Sequence, residues 1–207
     1  MAEPSRSAFF YGTLMAPQVL HRVCHGSSDP TNPIFATHNF KTRPAILHEH
    51  RRHRVRHADY PGVIPHPNAT VRGTYVTGLT DADIWRLDIF EGDQYERCKV
   101  KVRVLDKIGE DNGQGNVEGE EVEAETYIWT AGEEELEQKE WDFAEFQREK
   151  MQFWVGNEGA AEYAEVDEAV AAEDKRDGTG GRGANGHITS ALLDEQKKAG
   201  ILNGGDV

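Results

Sequence analysis

Two short stretches of this 207-residue chain combine residue types that can do chemistry. The first is Tyr11-Gly12-Thr13-Leu14-Met15, directly after the apolar run Ala8-Phe9-Phe10. A strand that breaks at a glycine and turns at once toward a helix leaves backbone N–H groups unpaired, and such groups bind carboxylates and oxyanions. The second is Leu-Asp-Ile-Phe-Glu-Gly-Asp-Gln-Tyr-Glu-Arg at 87–97. It sets Glu91 beside the apolar face of an expected helix that carries Leu87 and Phe90, immediately before Gly92. A carboxylate in that position is partly desolvated, which raises its pKa and makes it a usable general base. Read alone, each stretch is equally what a structural glycine and a surface glutamate produce. Tyr95 and Tyr127 are secondary candidates for orienting a substrate carboxylate or the base, with ordinary packing as the alternative. Arg97 is expected to pair with Glu96 or Asp93.

A histidine run, His48, His50, His53 and His57 with His66 beyond, invites a metal reading, because His48 and His50 share one side of an extended strand. Arg51, Arg52, Arg54 and Arg56 interleave with it and oppose a dication. An exposed basic hairpin is therefore expected there, and no metal site.

The elements that must position these residues follow from pattern. Residues 8–14 read as a strand ending in a turn, and 17–25 as a helix stopped by Gly26. Strand patterns recur at 35–47, 71–79, 97–105 and 122–130; the alternation of Cys98, Val100, Val102 and Val104 with Lys99, Lys101 and Arg103 is the plainest. Thr80 caps a helix that runs to Gly92, with acidic residues in its first turn. Residues 140–155 read as one amphipathic helix. Residues 106–121 read as a long, solvated hairpin loop. Prolines within the strands point to a bent sheet, and short connections to mostly antiparallel pairing. The fold class is thus α+β, a small bent β-barrel with two or three flanking helices. The domain is expected over 1–157, with 158–207 a low-complexity, largely disordered tail ending in a weak amphipathic stretch.

The net charge is −14 and hydrophobic residues make up 37% of the chain. The charge is uneven. Residues 1–105 hold 14 Lys/Arg against 10 Asp/Glu, residues 106–150 hold 4 against 16, and residues 158–207 hold 5 against 11. Such a balance repels phosphates and anionic lipid, so neither nucleic acid nor membrane is an expected partner. The two cysteines, Cys24 and Cys98, are expected to be free thiols. No apolar run suits a signal peptide or a membrane span, which leads to a cytoplasmic or nuclear expectation.

Taken in order, FFYGTLM, ADYPGVIP, VRGTY, LDIFEGDQYER and WDFAEF resemble the gamma-glutamylcyclotransferase-like superfamily, closest to the branch of the plant avirulence-induced-gene-2-like proteins. The resemblance runs from about Ala8 to Val155. It implies a bent barrel with a cavity at its mouth, a substrate-holding loop at Tyr11, Gly12, Thr13, Leu14 and Met15, and Glu91 as the acid/base. It implies intramolecular aminolysis of a γ-glutamyl amine or amino acid, releasing 5-oxoproline, with no cofactor and no metal. Hydrolysis or acyl transfer of another small γ-amide at the same carboxylate is the nearest alternative. A non-catalytic small-molecule-binding or scaffold protein is the next. The leaving amine and the oligomeric state are not set by the sequence.

Overall fold

The structure is a computed structural model that describes residues 5–38, 40–110 and 113–177. Five strands form one sheet: β1 (Arg6–Phe10), β2 (Lys41–Arg54), β3 (Pro61–Leu79), β4 (Tyr95–Lys107) and β5 (Val117–Trp129). They close into a ring in the order β1-β3-β2-β4-β5. Four of the pairings are antiparallel; Ala8 opposite Glu125 closes the ring in parallel.

The period-two pattern of β1 divides the core. Phe9 points into the ring with Leu47, Val63, Val71 and Val102, whereas Ala8 and Phe10 face outward, onto the helices. That outer layer holds α1 (Pro17–His25) and α3 (Asp81–Glu91), whose Val19, Leu20, Val23, Ile84 and Leu87 are buried together. Thr80 and Asp83 form a capping box at the start of α3: the Thr80 hydroxyl accepts from the Asp83 amide, and Asp83 accepts from the Thr80 amide. Cys24 is buried and Cys98 half-buried, and both are free thiols. Reductant should therefore leave the melting temperature unchanged in differential scanning calorimetry; a drop of several degrees would reveal a disulfide.

Three expectations need correction. The acidic run at 106–121 is strand at both ends, 106–107 and 117–121, because its carboxylates meet basic side chains of β2 and β4: Arg43 with Glu120 at 2.6 Å, His48 with Glu118 at 3.0 Å, and Arg103 with Glu121 at 3.2 Å. Opposite charges side by side let the ladder continue where charge alone suggested a solvated loop. The helices outnumber the two or three expected. A short α2 (Ile34–Thr37) occupies the start of the strand read at 35–47. The helix read at 140–155 divides at Lys150 (φ −119°) into α4 (Phe143–Glu149) and α5 (Met151–Val155).

The third correction concerns the boundary at 157. A 3-10 segment (Asn157–Tyr163) and α6 (Ala164–Asp177) follow it; Tyr163 is buried in the outer core and Val166 is buried as well. Alanine and glutamate are strong helix formers, and two apolar anchors three residues apart suffice to dock one turn on the body. The tail beyond 177, including the weak amphipathic stretch, lies outside the described residues. No helix among the described residues is long and apolar enough to cross a membrane.

Candidate active site

At one end of α3 the chain encloses a cavity of about 420 Å³, within the range of roughly 300–1,000 Å³ usual for small-molecule sites. Its wall comes from residues 11–14, the Tyr60-Pro61 step at the start of β3, the end of α3, Tyr95 on β4, Tyr127 on β5, and residues 161–166. Elements distant in sequence thus bring both chemistry-bearing stretches to one space.

Glu91 is the last residue of α3. Gly92 follows at φ 64°, a left-handed conformation that an L side chain adopts only with strain, and its backbone amide bonds the Asp88 carbonyl. The helix therefore stops with Glu91 aimed at the cavity. Among the described residues no group donates a hydrogen bond to its carboxylate. Surrounding protein removes most of its water, and Asp88 adds like charge. Desolvation first and Asp88 second push its pKa up to about 8.

Four tyrosines, Tyr11, Tyr60, Tyr95 and Tyr127, stand close enough to feel the charge of Glu91, and burial raises the pKa of each. Each hydroxyl already donates its one hydrogen elsewhere. Tyr11 donates to the Tyr127 carbonyl at 2.5 Å, Tyr60 to Gln94 Oε1 at 3.0 Å, Tyr95 to the Pro61 carbonyl at 2.9 Å and Tyr127 to Asp88 Oδ1 at 2.9 Å. What remains on all four is acceptor capacity, suited to an ammonium group and unsuited to a carboxylate.

The loop after β1 supplies backbone groups to the same cavity. Gly12 lies so close to the Pro61 ring that a Cβ would sit 2.9 Å from it, so the chain passes only as glycine. Thr13–Met15 form a 3-10 turn in which the Met15 amide bonds the Gly12 carbonyl at 3.0 Å. Among the described residues the amides of Gly12, Thr13 and Leu14 have no protein acceptor. Met15 differs from expectation: its amide closes the turn, and its side chain packs on the outer core, away from the cavity wall. Arg52 steadies the loop by donating to the Tyr11 carbonyl at 2.9 Å.

Arg97 pairs with Asp88 at 2.8 Å and with Glu125, not with Glu96 or Asp93, because strand pairing turns it toward α3 and β5. The link Arg97–Asp88–Tyr127 holds the tyrosine behind Glu91. Sequence reasoning missed Tyr60, Gln94, Trp154, Glu162 and Glu165 as wall residues. For the last two the available signal was Tyr163 and Val166, apolar residues at helical spacing in an Ala/Glu-rich run.

The His48–His57 run does not keep the one-sided spacing expected of it. A bulge at Glu49 (φ 56°) breaks the alternation; His48 pairs with Glu118, and His50 bonds the His48 carbonyl. A different group, His25, His38 and Asp83, holds its donor atoms within 4.8 Å of one another and is near enough to hold a cation. Its members satisfy one another: His25 Nε2 and His38 Nδ1 are 2.9 Å apart, and His38 Nε2 lies 2.8 Å from the Gly78 carbonyl. None of the three lines the cavity.

A family model described as "Gamma-glutamyl cyclotransferase, AIG2-like" matches residues 8–143. Protein AIG2 C of Arabidopsis thaliana is 29% identical over 142 residues, which cover 69% of this chain and 72% of that protein. Protein AIG2 A of the same organism is 27% identical over 162 residues, covering 78% and 81%. Among solved structures, the solution structure of an Arabidopsis thaliana protein matches 90% of this chain and 93% of its own at 24% identity, with a TM-score of 0.48. One described as gamma-glutamyl cyclotransferase matches 65% and 69% at 16% identity, with a TM-score of 0.43.

Proposed function

Because the chain belongs to the gamma-glutamyl cyclotransferase, AIG2-like family, we propose that its cavity converts a γ-glutamyl amine or γ-glutamyl amino acid to 5-oxoproline, with Glu91 as the acid/base. The observation that carries this reading is an unpartnered carboxylate, raised to about 8, in one cavity with three free backbone amides.

The chemistry follows from that pairing. The substrate's α-carboxylate is received by the amides of Gly12, Thr13 and Leu14, and its α-ammonium by Glu91 and the tyrosine oxygens. The raised pKa of Glu91 makes it a better acceptor for the ammonium proton than an ordinary carboxylate. The freed amine attacks the γ-carbonyl of the same molecule, and holding the chain folded supplies much of the rate. The C–N bond to the leaving amine then breaks. The two protons lost by the α-nitrogen end on the leaving nitrogen, which departs as an ammonium ion, so no net proton is consumed. Glu91 carries protons from one nitrogen to the other.

Two measurements test this reading. Incubation with a panel of γ-glutamyl compounds should yield 5-oxoproline and free amine in equal amounts by mass spectrometry; free glutamate in place of 5-oxoproline would mean hydrolysis. The second is the pH profile. Glu91 must be ionised to take the proton, so kcat/KM should rise about tenfold per unit below pH 8 and level off above it. A profile flat from pH 6 to 9 would assign the base to another group.

A further inference from the structure

The charges on the cavity wall are one-sided. Glu91, Asp93, Glu162 and Glu165 line it, and among the described residues no lysine, arginine or histidine does. Glu162 and Glu165 come from the segment after residue 157, beyond the region that the family model matches. They are held in place by the packing of Tyr163, whose ring stacks on Phe90 with centroids 5.8 Å apart and whose hydroxyl donates to the Trp154 carbonyl at 2.8 Å. Arg22 binds Asp167 at 2.7 Å and lies over the Tyr163 ring at 4.6 Å, fixing α6 to α1. Among the described residues neither Glu162 nor Glu165 has a cationic partner.

We infer that Glu162 and Glu165 select the leaving group: the substrate of this site is a γ-glutamyl derivative whose leaving amine carries a second positive charge and no carboxylate, as in a diamine or polyamine. This rests on the cyclotransferase reading above and adds the substrate class to it. The α-carboxylate of the γ-glutamyl group goes to the uncharged amides at 12–14. What extends beyond the scissile bond meets the rest of the wall, and there the 161–166 segment presents two carboxylates. A leaving amino acid or dipeptide would bring its own carboxylate against them with no cation to receive it. A protonated amine would instead meet two acceptors, with Trp154 and Val166 available to its methylene chain. Both carboxylates are exposed, and at about 5–7 Å in water-like surroundings each is worth roughly a threefold preference for a cation over a neutral group.

The test uses the full chain and three substrates that differ only at the leaving end: γ-glutamylputrescine, γ-glutamylbutylamine and γ-glutamyl-4-aminobutyrate. The expected order of kcat/KM is cationic, neutral, anionic, with about 10²-fold between the extremes at low salt and a smaller spread at 0.5 M NaCl. The double variant Glu162→Gln/Glu165→Gln should compress that spread to about threefold. Glu168→Gln/Glu173→Gln, which removes the same charge from α6 away from the cavity, should leave the spread as it is. Release of 5-oxoproline with equal or better use of the anionic substrate, or a spread that the first double variant does not change, overturns the inference and leaves the cyclotransferase reading standing. Release from none of the three, nor from any member of the wider panel, overturns both.

Discussion

Glu91→Gln should abolish measurable turnover, lowering 5-oxoproline release by about 10³–10⁴-fold, while the folded protein becomes more stable at alkaline pH. The amide has nearly the volume of the acid, so the end of α3 and the four surrounding tyrosines keep their packing. It accepts no proton from the substrate ammonium, so the nucleophile stays masked, and the described cavity wall offers no other carboxylate as deeply desolvated. The stability effect has a definite sign. The pKa of Glu91 rises from 4.5 to about 8 on folding, so the native state holds its proton more tightly than the unfolded chain. That contribution is complete below about pH 4.5 and is lost as pH rises through 8. At pH 9 the wild-type protein carries a buried, unpaired charge that the glutamine variant lacks. Thermal melts should therefore show the variant ahead by a few degrees at pH 9 and the gap closing toward pH 5. Wild-type turnover in Glu91→Gln would place the base elsewhere. A variant that melts lower at pH 9 would mean that the carboxylate is solvated.

Tyr163→Ala should cost about 3–5 kcal/mol of folding stability, the range for deleting a large buried aromatic side chain. Tyr163 is 1% exposed. Besides its stack on Phe90 it meets Trp154 edge to face, with centroids 6.2 Å apart. Phe90 immediately precedes Glu91, so the void left by Tyr163 opens beside the proposed acid/base; activity should fall as well. Tyr163→Phe keeps the ring and loses one hydrogen bond, and should cost only about 1 kcal/mol. Chemical denaturation of both variants checks the pair. Limited proteolysis of the wild-type protein gives an independent reading: cleavage should spare the 158–163 segment, and a resistant fragment ending at 157 would show that Tyr163 is not docked.

Much of this fold was legible because its signals are local. Gly26 and Gly92 end α1 and α3, Thr80 with Asp83 begins α3, and the alternation at 98–104 can be satisfied only by a strand with one buried face. The order of the motifs along the chain carried the family, and with it Glu91, which read alone was equally a surface glutamate near a helix end. Pairing decided the rest. Whether the acidic run at 117–123 is loop or strand depends on the basic side chains of β2 and β4 that meet it, and the paired residues are 18 to 77 apart in sequence. Whether an Ala/Glu-rich segment docks depends on a groove between Phe90 and Trp154 that exists only once α3 and α5 have packed. Donor capacity is likewise invisible in one dimension: Tyr95 and Tyr127 look free to donate until the Pro61 carbonyl and Asp88 are brought beside them. The chain thus marks by itself the carboxylate proposed as the base. Only the closed ring and the returning C-terminal segment decide what surrounds that base, since desolvation and field are sums over neighbours that the sequence keeps far apart.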